Sequence, residues 1–403
     1  KTFAKVHSVE GLLLLNRRDY DKGEKWSYRN QGLAGRASYT YAGKYVGEFN
    51  FGYNGSENFA KGKRYGFFPS GAIGWVVSEE DFMEDIRSTL SKLKLRASYG
   101  QVGNANLAGR RFAYLSTING TSESTINGYT FGPNKSTSFG GLAEGDFGVP
   151  DLTWETVNKL NLGLEIGLFR GALDLQLDFF DERRTGIFME RQSVPAIAGF
   201  YKTPWSNYGK VHNMGFDLAL QFNKQVNRDL YLGFFGTFTF ARNKIIEKDE
   251  AHSIIGTNRS QTGHPVGQLF GLEALGLFTE DDFDADGNLN ADVPNHTFAP
   301  VRPGDIRYAD LNADGKIDAY DMKAIGGTID PEIVYGLGLN GSYKSFDWGI
   351  LVQGNGRTYR IIGQGIGSWI PGSGNGATGN IFANVNDRWT IDNPNQDVFW
   401  PRL

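Results

Sequence analysis

The sequence predicts an all-β fold, a transmembrane antiparallel β-barrel, and three observations lead to this prediction. Apolar and polar residues alternate along many segments, short and long connections alternate between those segments, and glycine and aromatic residues are abundant. The 403 residues include 54 glycines, and 14% are aromatic. Because glycine supplies turn dihedrals and aromatic side chains suit pleated surfaces, this composition fits many strands joined by turns.

The alternation has a period of two, as a strand with two different faces requires. In residues 159–168 every second residue is leucine or isoleucine, and the residues between them are polar or glycine. The same pattern recurs in sets named here by their apolar members: Phe49/Phe51/Tyr53, Leu93/Leu95/Ala97/Tyr99, Leu173/Leu175/Leu177/Phe179, Phe216/Leu218/Leu220/Phe222, Leu230/Leu232/Phe234/Phe238/Phe240, Tyr335/Leu337/Leu339/Tyr343 and Phe346/Trp348/Ile350/Val352. Each segment is about 9–11 residues long, which a tilted strand needs to cross a bilayer. A soluble β-sandwich also alternates, but its strands average about 5–6 residues.

The connections favour the barrel over the sandwich. Short turns are expected at Arg170-Gly171, between Phe222 and Leu230, and at Lys344-Ser345. Long loops are expected at about 100–158, 182–214, 243–332 and from 356 onward. Membrane barrels alternate tight periplasmic turns with long extracellular loops in this way. We therefore expect roughly 10–12 strands with long extracellular loops.

One connection of intermediate length, residues 78–91, falls where a short turn is due. It begins with Ser78 and continues with three acidic residues, ending at Asp81. A serine followed by acidic residues is typical of a helix N-cap and its first turn. The sequence therefore predicts a helix that is capped by Ser78.

Composition and motifs exclude several classes of function. The net charge is -4 and the basic residues are scattered, so nucleic acid is not an expected partner. The absence of cysteine excludes disulfides, thiolate catalysis and cysteine-bound zinc. No Walker A, HExxH or GxSxG motif occurs, the five histidines are scattered, and the GxGxxG string at 336–341 lies inside a predicted strand without a following helix. We do not expect an enzyme.

Several strings, in order along nearly the whole chain, carry a family resemblance. They are residues 35–45, 58–60, 64–70, 74–83, 93–104, 152–155, 207–215, 303–310, 387–389 and 401–403. In these strings the chain resembles the SusC-like (SusC/RagA) TonB-dependent outer-membrane transporters. Members of that family have a barrel of about 22 strands in full. The resemblance implies that residues 1–403 form part of one such barrel domain, and no segment matches the family's plug domain, TonB-contacting segment or last strands.

The resemblance also implies a location and a function. It implies an outer-membrane protein, surrounded by lipid, that imports a nutrient with energy from the TonB–ExbB–ExbD complex beneath a SusD-like surface lipoprotein. Oligosaccharide is the expected substrate, and oligopeptide is the alternative. Two alternatives from other classes are a passive porin and a secreted calcium-binding adhesin.

The most specific chemical motif is an EF-hand-like loop at residues 310–321. Oxygen donors stand at loop positions 1, 3, 5, 9 and 12, glycine stands at position 6, and position 7 contributes a backbone carbonyl. The residues concerned are Asp310, Asn312, Asp314, Lys316, Asp318 and Asp321. Calcium prefers six to eight oxygens, so this spacing predicts a structural Ca²⁺ site. Position 12 is aspartate rather than glutamate, and the alternative is a solvated turn rich in aspartate and asparagine.

A second, weaker candidate precedes it in the chain. Its donors are Asp282, Asp284, Asp286, Asn288 and Asn290, but Val293 stands where the last carboxylate is needed. In both loops the ion would make a long loop rigid.

Aromatic residues in the expected loops are candidates for contact with substrate. They are Trp205, Tyr208, Trp369 and Trp389, with Tyr129 and Trp400 as further loop aromatics. Such rings stack on sugars or hold peptide side chains, but they equally pack loops together or form the interfacial aromatic girdle. Trp348 and Phe240 lie within strands and are expected to face lipid.

Overall fold

The computed structural model describes residues 2–4, 6–23, 26–119, 129–361 and 383–402. Their helices are short 3-10 turns, and none of them is long and apolar enough to cross a membrane. The chain divides into two compact units. The sheet unit comprises residues 1–252, 262–264 and 332–356, and the loop unit comprises residues 253–261, 265–331 and 357–403.

The sheet unit is a 12-stranded antiparallel sheet in which each strand pairs with the next long strand along the chain. The strands are β1 (Thr2–Phe3), β2 (His7–Tyr20), β3 (Tyr28–Tyr41), β4 (Tyr45–Ser56), β5 (Tyr65–Val76), β6 (Leu90–Asn104), β7 (Glu155–Leu168), β8 (Leu173–Glu190), β9 (Trp205–Gln225), β10 (Leu230–Glu247), β11 (Ile333–Tyr343) and β12 (Phe346–Gly356). The predicted fold class and strand number are confirmed.

The connections differ systematically between the two ends of the sheet. At one end, the short-turn end, the links from β3 onward are residues 42–44, 77–89, 169–172, 226–229 and 344–345. At the other, the long-loop end, they are residues 21–27, 57–64, 105–154, 191–204 and 248–332. This confirms the predicted alternation of connection lengths.

The pairing register sorts the side chains onto two faces. Leu162 on β7 lies opposite Ala97 on β6 and Phe179 on β8, and Phe216 on β9 continues this row. The neighbouring row of β7 and β8 holds Gly163 and Asp178. We call these the apolar face and the polar face. All the predicted apolar sets lie on the apolar face, because successive residues of a strand point in opposite directions.

Aromatic rings cover glycines on neighbouring strands. A Cβ built on Gly35 would lie 2.2 Å from the ring of Phe51, and one on Gly338 would lie 1.9 Å from the ring of Phe235. Both pairs are in register across adjacent strands. Each ring occupies the space that a side chain on the glycine would need. The high contents of glycine and of aromatic residues are therefore linked by packing.

The strands are longer than the predicted 9–11 residues. β9 has 21 residues and β10 has 18. On β9 the apolar set ends at Phe216, while hydrogen-bonded pairing continues through His212 and Lys210 toward the long-loop end. Alternation of apolar residues detects only the apolar part of a strand, and backbone pairing extends beyond it with polar side chains.

The link between β5 and β6 corrects one prediction. It forms two 3-10 turns, Val77–Glu79 and Asp81–Ile86, instead of one capped helix. Ser78 lies inside the first turn, 1% exposed, and its side chain caps neither turn. Ser78 cannot serve as a cap because the residue that precedes the second turn is Glu80, which is extended.

Glu80 joins this link to the turn between β3 and β4. Its carboxylate accepts hydrogen bonds from the Tyr45 hydroxyl at 2.6 Å, the Trp75 indole N–H at 3.0 Å and the Lys44 ammonium at 3.1 Å. These bonds lower the pKa of Glu80 to about 2, and the bond from Tyr45 has the largest effect. The carboxylate therefore stays ionised at every ordinary pH and holds the two links of the short-turn end together.

The loop unit contains paired short strands around a small core. The pairs are Gln268–Gly271 with Lys323–Thr328, Ala274–Leu277 with Ile306–Tyr308, and Asn295–His296 with Lys316–Ile317. Phe278 and Ile317 are completely buried, and Trp389 and Trp400 are nearly so. The predicted loop from 243 to 332 is therefore largely a folded structure of its own.

Replacing Leu162 with arginine tests which face of the sheet contacts hydrocarbon. We expect Leu162→Arg to lower the free energy of unfolding by about 2–4 kcal/mol, the cost of a cation on the lipid face near the bilayer midplane. Asn161→Arg, one residue away on the polar face, serves as the control and should change it little. Urea titrations of the protein in lipid vesicles, followed by tryptophan fluorescence, measure both. Equal losses for the two variants would contradict the assignment of the faces.

Candidate functional site

Ion pairs cross the polar face of β6, β7 and β8. Glu165 forms ion pairs with the Lys92 ammonium at 2.6 Å and with the Arg96 guanidinium at 2.8 Å. The guanidinium of Arg96 also donates to both carboxylate oxygens of Asp178, each at 3.0 Å. Cations on β6 thus neutralise carboxylates on β7 and β8, so this part of the polar face carries no strong field of one sign.

A cavity of about 410 Å³ lies at the long-loop end of the polar face. Carboxamide and aromatic side chains line much of it, namely Asn16, Asn30, Asn54, Asn58, Tyr20 and Tyr28, together with Trp154. The residues come from β2, β3 and β4 and from the loops that follow β4 and β6. We call this the amide cavity.

Strand register brings two of the carboxamides together. Gly32 on β3 lies directly between Asn16 on β2 and Asn54 on β4. A Cβ built on Gly32 would lie 2.3 Å from Oδ1 of Asn54 and 3.0 Å from Oδ1 of Asn16. Both side chains therefore extend over the glycine, and both carboxamides lie in the same part of the cavity.

Two stacked tyrosine rings line the amide cavity, and an arginine packs against one of them. Tyr20 and Tyr28 stack at 4.9 Å with an interplanar angle of 14°. The guanidinium carbon of Arg111 lies 3.8 Å from the centre of the Tyr28 ring, and Arg111 also donates to Glu57 at 2.7 Å. Since this arginine is paired with a carboxylate, the cavity presents aromatic faces and amides with little net charge.

Trp154 connects the amide cavity to the packed loops. Its ring contacts Phe59 at 5.0 Å and the edge of Phe68 at 5.3 Å, while its indole N–H is buried without a hydrogen-bond partner among the described residues. Trp154 packs against a buried cluster that includes Leu107 and Leu152. Asn16, Asn54 and Trp154 could not be predicted as site residues from the sequence, because only the pairing of the strands brings them to one cavity.

The predicted substrate aromatics occupy different surroundings. Trp205 packs on Phe188 at 5.2 Å beneath the guanidinium of Arg110 at 4.3 Å. Tyr208 lies 4.7 Å from the guanidinium of Arg191. Trp389 is 4% exposed and packs on Gly304. Trp205 and Tyr208 thus lie in β9 rather than in a loop as predicted, because strand pairing extends beyond the apolar set. The contacts of all three favour a packing role, and Trp369 lies outside the described residues.

Of the two remaining loop aromatics, one is exposed and the other is buried. Tyr129 is 70% exposed and contacts Phe131 edge-on at 5.0 Å, so its ring is accessible. Trp400 is buried in the loop unit. Phe240 and Trp348 lie on the apolar face, as predicted.

The EF-hand-like loop folds as a series of tight turns. The carboxylate of Asp310 accepts the N–H of Ala313 at 2.7 Å and that of Gly315 at 2.8 Å. Asp321 is completely buried and accepts the N–H of Leu311 at 2.9 Å and that of Asp318 at 2.8 Å. Gly315 has a φ of +78°, which position 6 of such a loop requires. Both ends of the motif therefore fold toward its interior.

The weaker acidic loop is arranged differently. Asp282 bonds back to Thr279 in a capping box and pairs with Arg307 at 3.3 Å. Asp284 accepts the N–H groups of Asn288 at 2.8 Å and Asp286 at 2.9 Å. In the described parts of the chain no three His, Asp or Glu side chains converge closely enough to hold a metal ion. Calcium binding therefore remains a prediction for both loops.

Asp249 anchors the loop between β8 and β9. It is 4% exposed and accepts the Arg191 guanidinium at 3.0 Å, the Ser193 N–H at 3.0 Å and the Ser193 hydroxyl at 3.1 Å. Burial alone would raise the pKa of Asp249, but these bonds from Ser193 and Arg191 outweigh it and lower the pKa. This contact could not be predicted from the sequence, because nothing local to Asp249 identifies a partner so far away in the chain.

Comparison with known proteins agrees with this geometry. The model of the family described as TonB dependent receptor-like, beta-barrel, matches residues 11–392. TonB-dependent receptor P3 of Formosa agariphila is 28% identical over 399 residues, which cover 94% of this chain and 36% of that protein. TonB-dependent receptor SusC of Bacteroides thetaiotaomicron is 25% identical over 361 residues, which cover 87% and 33%. The chain thus spans about a third of the length of these relatives.

Solved structures share the fold. The RagAB peptide importer in its "open-open" state matches with a TM-score of 0.71 at 17% identity, covering 100% of this chain and 44% of that chain. Another structure, of the RagAB peptide transporter, matches with a TM-score of 0.65 at 20% identity, covering 94% and 38%. At such low identity these similarities establish the fold alone.

Replacing Asp249 tests how the loop at 191–204 is held. The pKa of Asp249 in the folded protein lies below its ordinary value of 3.8, so the ionised side chain stabilises the loop at pH 7, and this contribution is lost as pH falls through the lowered pKa. Hydrogen bonds to a charged group contribute about 2 kcal/mol, so Asp249→Asn should speed tryptic cleavage in the loop roughly 30-fold at pH 7. Asp229→Asn, in a turn at the other end of the sheet, is the control. Unchanged cleavage in Asp249→Asn would disprove the anchor.

Proposed function

The chain belongs to the TonB-dependent receptor-like β-barrel family, and we propose that it serves the energy-coupled import of a nutrient, an oligosaccharide, across the outer membrane. Family membership supports import, and the amide cavity supports the substrate class. In the outer membrane the apolar face contacts lipid and the polar face lines the interior of the barrel. The amide cavity lies at the long-loop end, which is the extracellular end of a membrane barrel.

The chemistry of the amide cavity fits a neutral, polyhydroxylated ligand. A carboxamide both donates and accepts hydrogen bonds, as a sugar hydroxyl does, so Asn16 and Asn54 match such groups without needing charge. Aromatic faces such as that of Tyr28 suit the apolar face of a sugar ring. The neighbouring charges are paired, Arg111 with Glu57 and Arg29 with Asp19 at 3.0 Å. An ionic ligand would have to compete with these pairs.

Oligopeptide is the second candidate substrate. One observation favours it, since the solved relatives with the same fold are described as a peptide transporter and a peptide importer. Asparagine side chains also pair with peptide backbone groups. The two substrates differ in charge, because a peptide usually carries ionised termini and side chains that this cavity does not complement.

The partners follow from the family. We propose that TonB, with ExbB and ExbD, supplies energy from the inner membrane, and that a SusD-like surface lipoprotein covers the extracellular mouth. The name TonB-dependent receptor shared by the relatives supports the first partner. Exposed apolar side chains on the loops of the long-loop end, such as Ile197 at 94% and Ile118 at 72%, are consistent with a protein partner there.

Uptake by cells tests the proposal. Cells that produce the protein should accumulate fluorescently labelled oligosaccharides, and a protonophore should abolish the accumulation because import draws on the proton-motive force. Asn54→Ala together with Trp154→Phe, which keeps an aromatic ring against Phe59, should lower uptake about 10- to 100-fold, because a carboxamide is lost and the aromatic wall of the cavity shrinks.

The control for uptake is Asn158→Ala, which removes a carboxamide from the other face of the sheet. Uptake that resists the protonophore would indicate a passive porin. Uptake of labelled peptides but not of sugars would replace the first substrate with the second. If uptake is energy-dependent but indifferent to Asn54 and Trp154, the amide cavity is not the binding site.

We also propose a structural role for Ca²⁺ in the loop at 310–321. Asp310, Asn312, Asp314, Asp318 and Asp321 supply side-chain oxygens, with the Lys316 carbonyl, and such a donor set suits a hard cation. The buried carboxylate of Asp321 and the positive φ of Gly315 support the proposal. The ion would make this loop rigid. The weaker loop at 282–290 lacks a final carboxylate and is the poorer candidate.

Limited proteolysis tests the calcium proposal. Calcium at about 1 mM, the affinity range of extracellular sites, should protect residues 300–330 relative to a chelator. Asp314→Ala should abolish that difference, and Asp330→Ala, an exposed acid outside the loop, should preserve it. If calcium protects wild type and Asp314→Ala equally, or protects neither, the loop is not a calcium site.

A further inference from the structure

Basic side chains gather on the apolar face just beyond its apolar band, at the long-loop end of three neighbouring strands. Arg183 on β8, His212 on β9 and Lys244 on β10 lie directly opposite one another. Neighbouring strands are about 4.8 Å apart, so these three residues fit within about 10 Å. Arg242, in the adjacent row of the same face, extends the group. We call these four residues the basic patch.

The position of the basic patch relative to the bilayer follows from register. Four residues nearer the short-turn end, the same face carries the row Phe179, Phe216 and Phe240. Phe216 and Phe240 contact each other at 6.1 Å, as expected in an aromatic girdle. Four residues of a tilted strand rise about 10 Å. If the phenylalanine row marks the hydrocarbon boundary, a residue four positions farther out lies in the headgroup region. The basic patch therefore lies at headgroup level on the extracellular side.

The charges of the basic patch are only partly compensated. Asp181 hydrogen-bonds to His212 at 2.6 Å and forms an ion pair with Arg183 at 3.4 Å, and Glu332 forms an ion pair with Arg242 at 3.0 Å. Lys244 makes no ion pair within the described residues. Three permanent cations thus face two carboxylates, and the side chains of Arg183 and Arg242 remain 73% and 58% exposed.

The basic patch is local, because the same face is neutral or compensated nearby. On β6 and β7 the corresponding row holds Gln101 and Asn158, which bond to each other at 3.2 Å. Farther out on β9 and β10, Lys210 is paired with Glu247 at 2.6 Å. Among β6–β10, the excess positive charge on this face is therefore concentrated on β8–β10.

We propose that the basic patch binds the phosphate of an outer-leaflet lipid headgroup, with Arg183 and Lys244 as the principal contacts. Arginine donates two parallel hydrogen bonds to a phosphate and lysine adds a flexible point charge. The acyl chains of the same lipid would lie along the phenylalanine row below. This combination of cations above an apolar surface distinguishes a lipid from a soluble anion, and the inference depends on the outer-membrane location rather than on the imported substrate.

Native mass spectrometry of the detergent-solubilised protein tests this site, with bis-phosphorylated lipid A as the probe. Near a membrane surface each cation contributes roughly a factor of five to the binding of an anionic lipid. Arg183→Gln with Lys244→Gln should therefore weaken lipid A binding about 30-fold. Lys244→Arg keeps the charge and should bind as wild type does.

The control is Lys159→Gln, which removes a cation at the same level from the polar face and should leave the affinity unchanged. Dephosphorylated lipid A should bind wild type as weakly as the double variant binds lipid A, and excess inorganic phosphate should not displace lipid A. Equal affinity of wild type and double variant, or equal affinity for the dephosphorylated lipid, would overturn the proposal. Displacement by inorganic phosphate would overturn it too, since the patch would then be a site for free anions.

Discussion

The pairing register between neighbouring strands is the constraint on which the rest of this structure depends. Because side chains alternate, a slip of one residue on β7 would move Glu165 to the lipid side and Leu164 to the interior. A slip of β6 would likewise move Arg96 to the lipid side, where a cation costs about 2–4 kcal/mol near the midplane. The glycine–aromatic pairs add a second penalty, since a slip would take the Phe51 ring away from Gly35. The abundance of glycine and aromatic residues thus contributes directly to register.

The same constraint builds the functional surfaces out of residues that are far apart in the chain. Asn16 and Asn54 meet over Gly32 only because three strands pair in one particular register. Arg183, His212 and Lys244 form a row for the same reason. Neither group has a local sequence motif. One alignment of strands therefore determines both the amide cavity on the polar face and the basic patch on the apolar face.

This explains what the sequence could predict and what it could not. Apolar alternation, as in Leu173 to Phe179, is a local property, so the strands, their faces and the short turns were predicted correctly. The full length of β9 was not predicted, because the residues of β9 that precede Phe216 show no regular alternation of apolar and polar side chains. The cap at Ser78 was wrong because a local motif could not foresee the extended conformation of Glu80. Burial of Trp389 and the contacts of Trp154 depend on distant partners, so a loop tryptophan alone does not indicate a site.

The two ends of the sheet are stabilised by different means, and this difference bears on specificity. At the short-turn end, Glu80 holds adjacent links together through bonds to Lys44, Tyr45 and Trp75. At the long-loop end, contacts such as that of Asp249 with Arg191 connect loops to one another, beyond the strand pairing. Loop residues at that end can therefore change without altering the register of the strands. A barrel of this kind can keep the pairing of its strands while the sequence of the loops at its long-loop end changes.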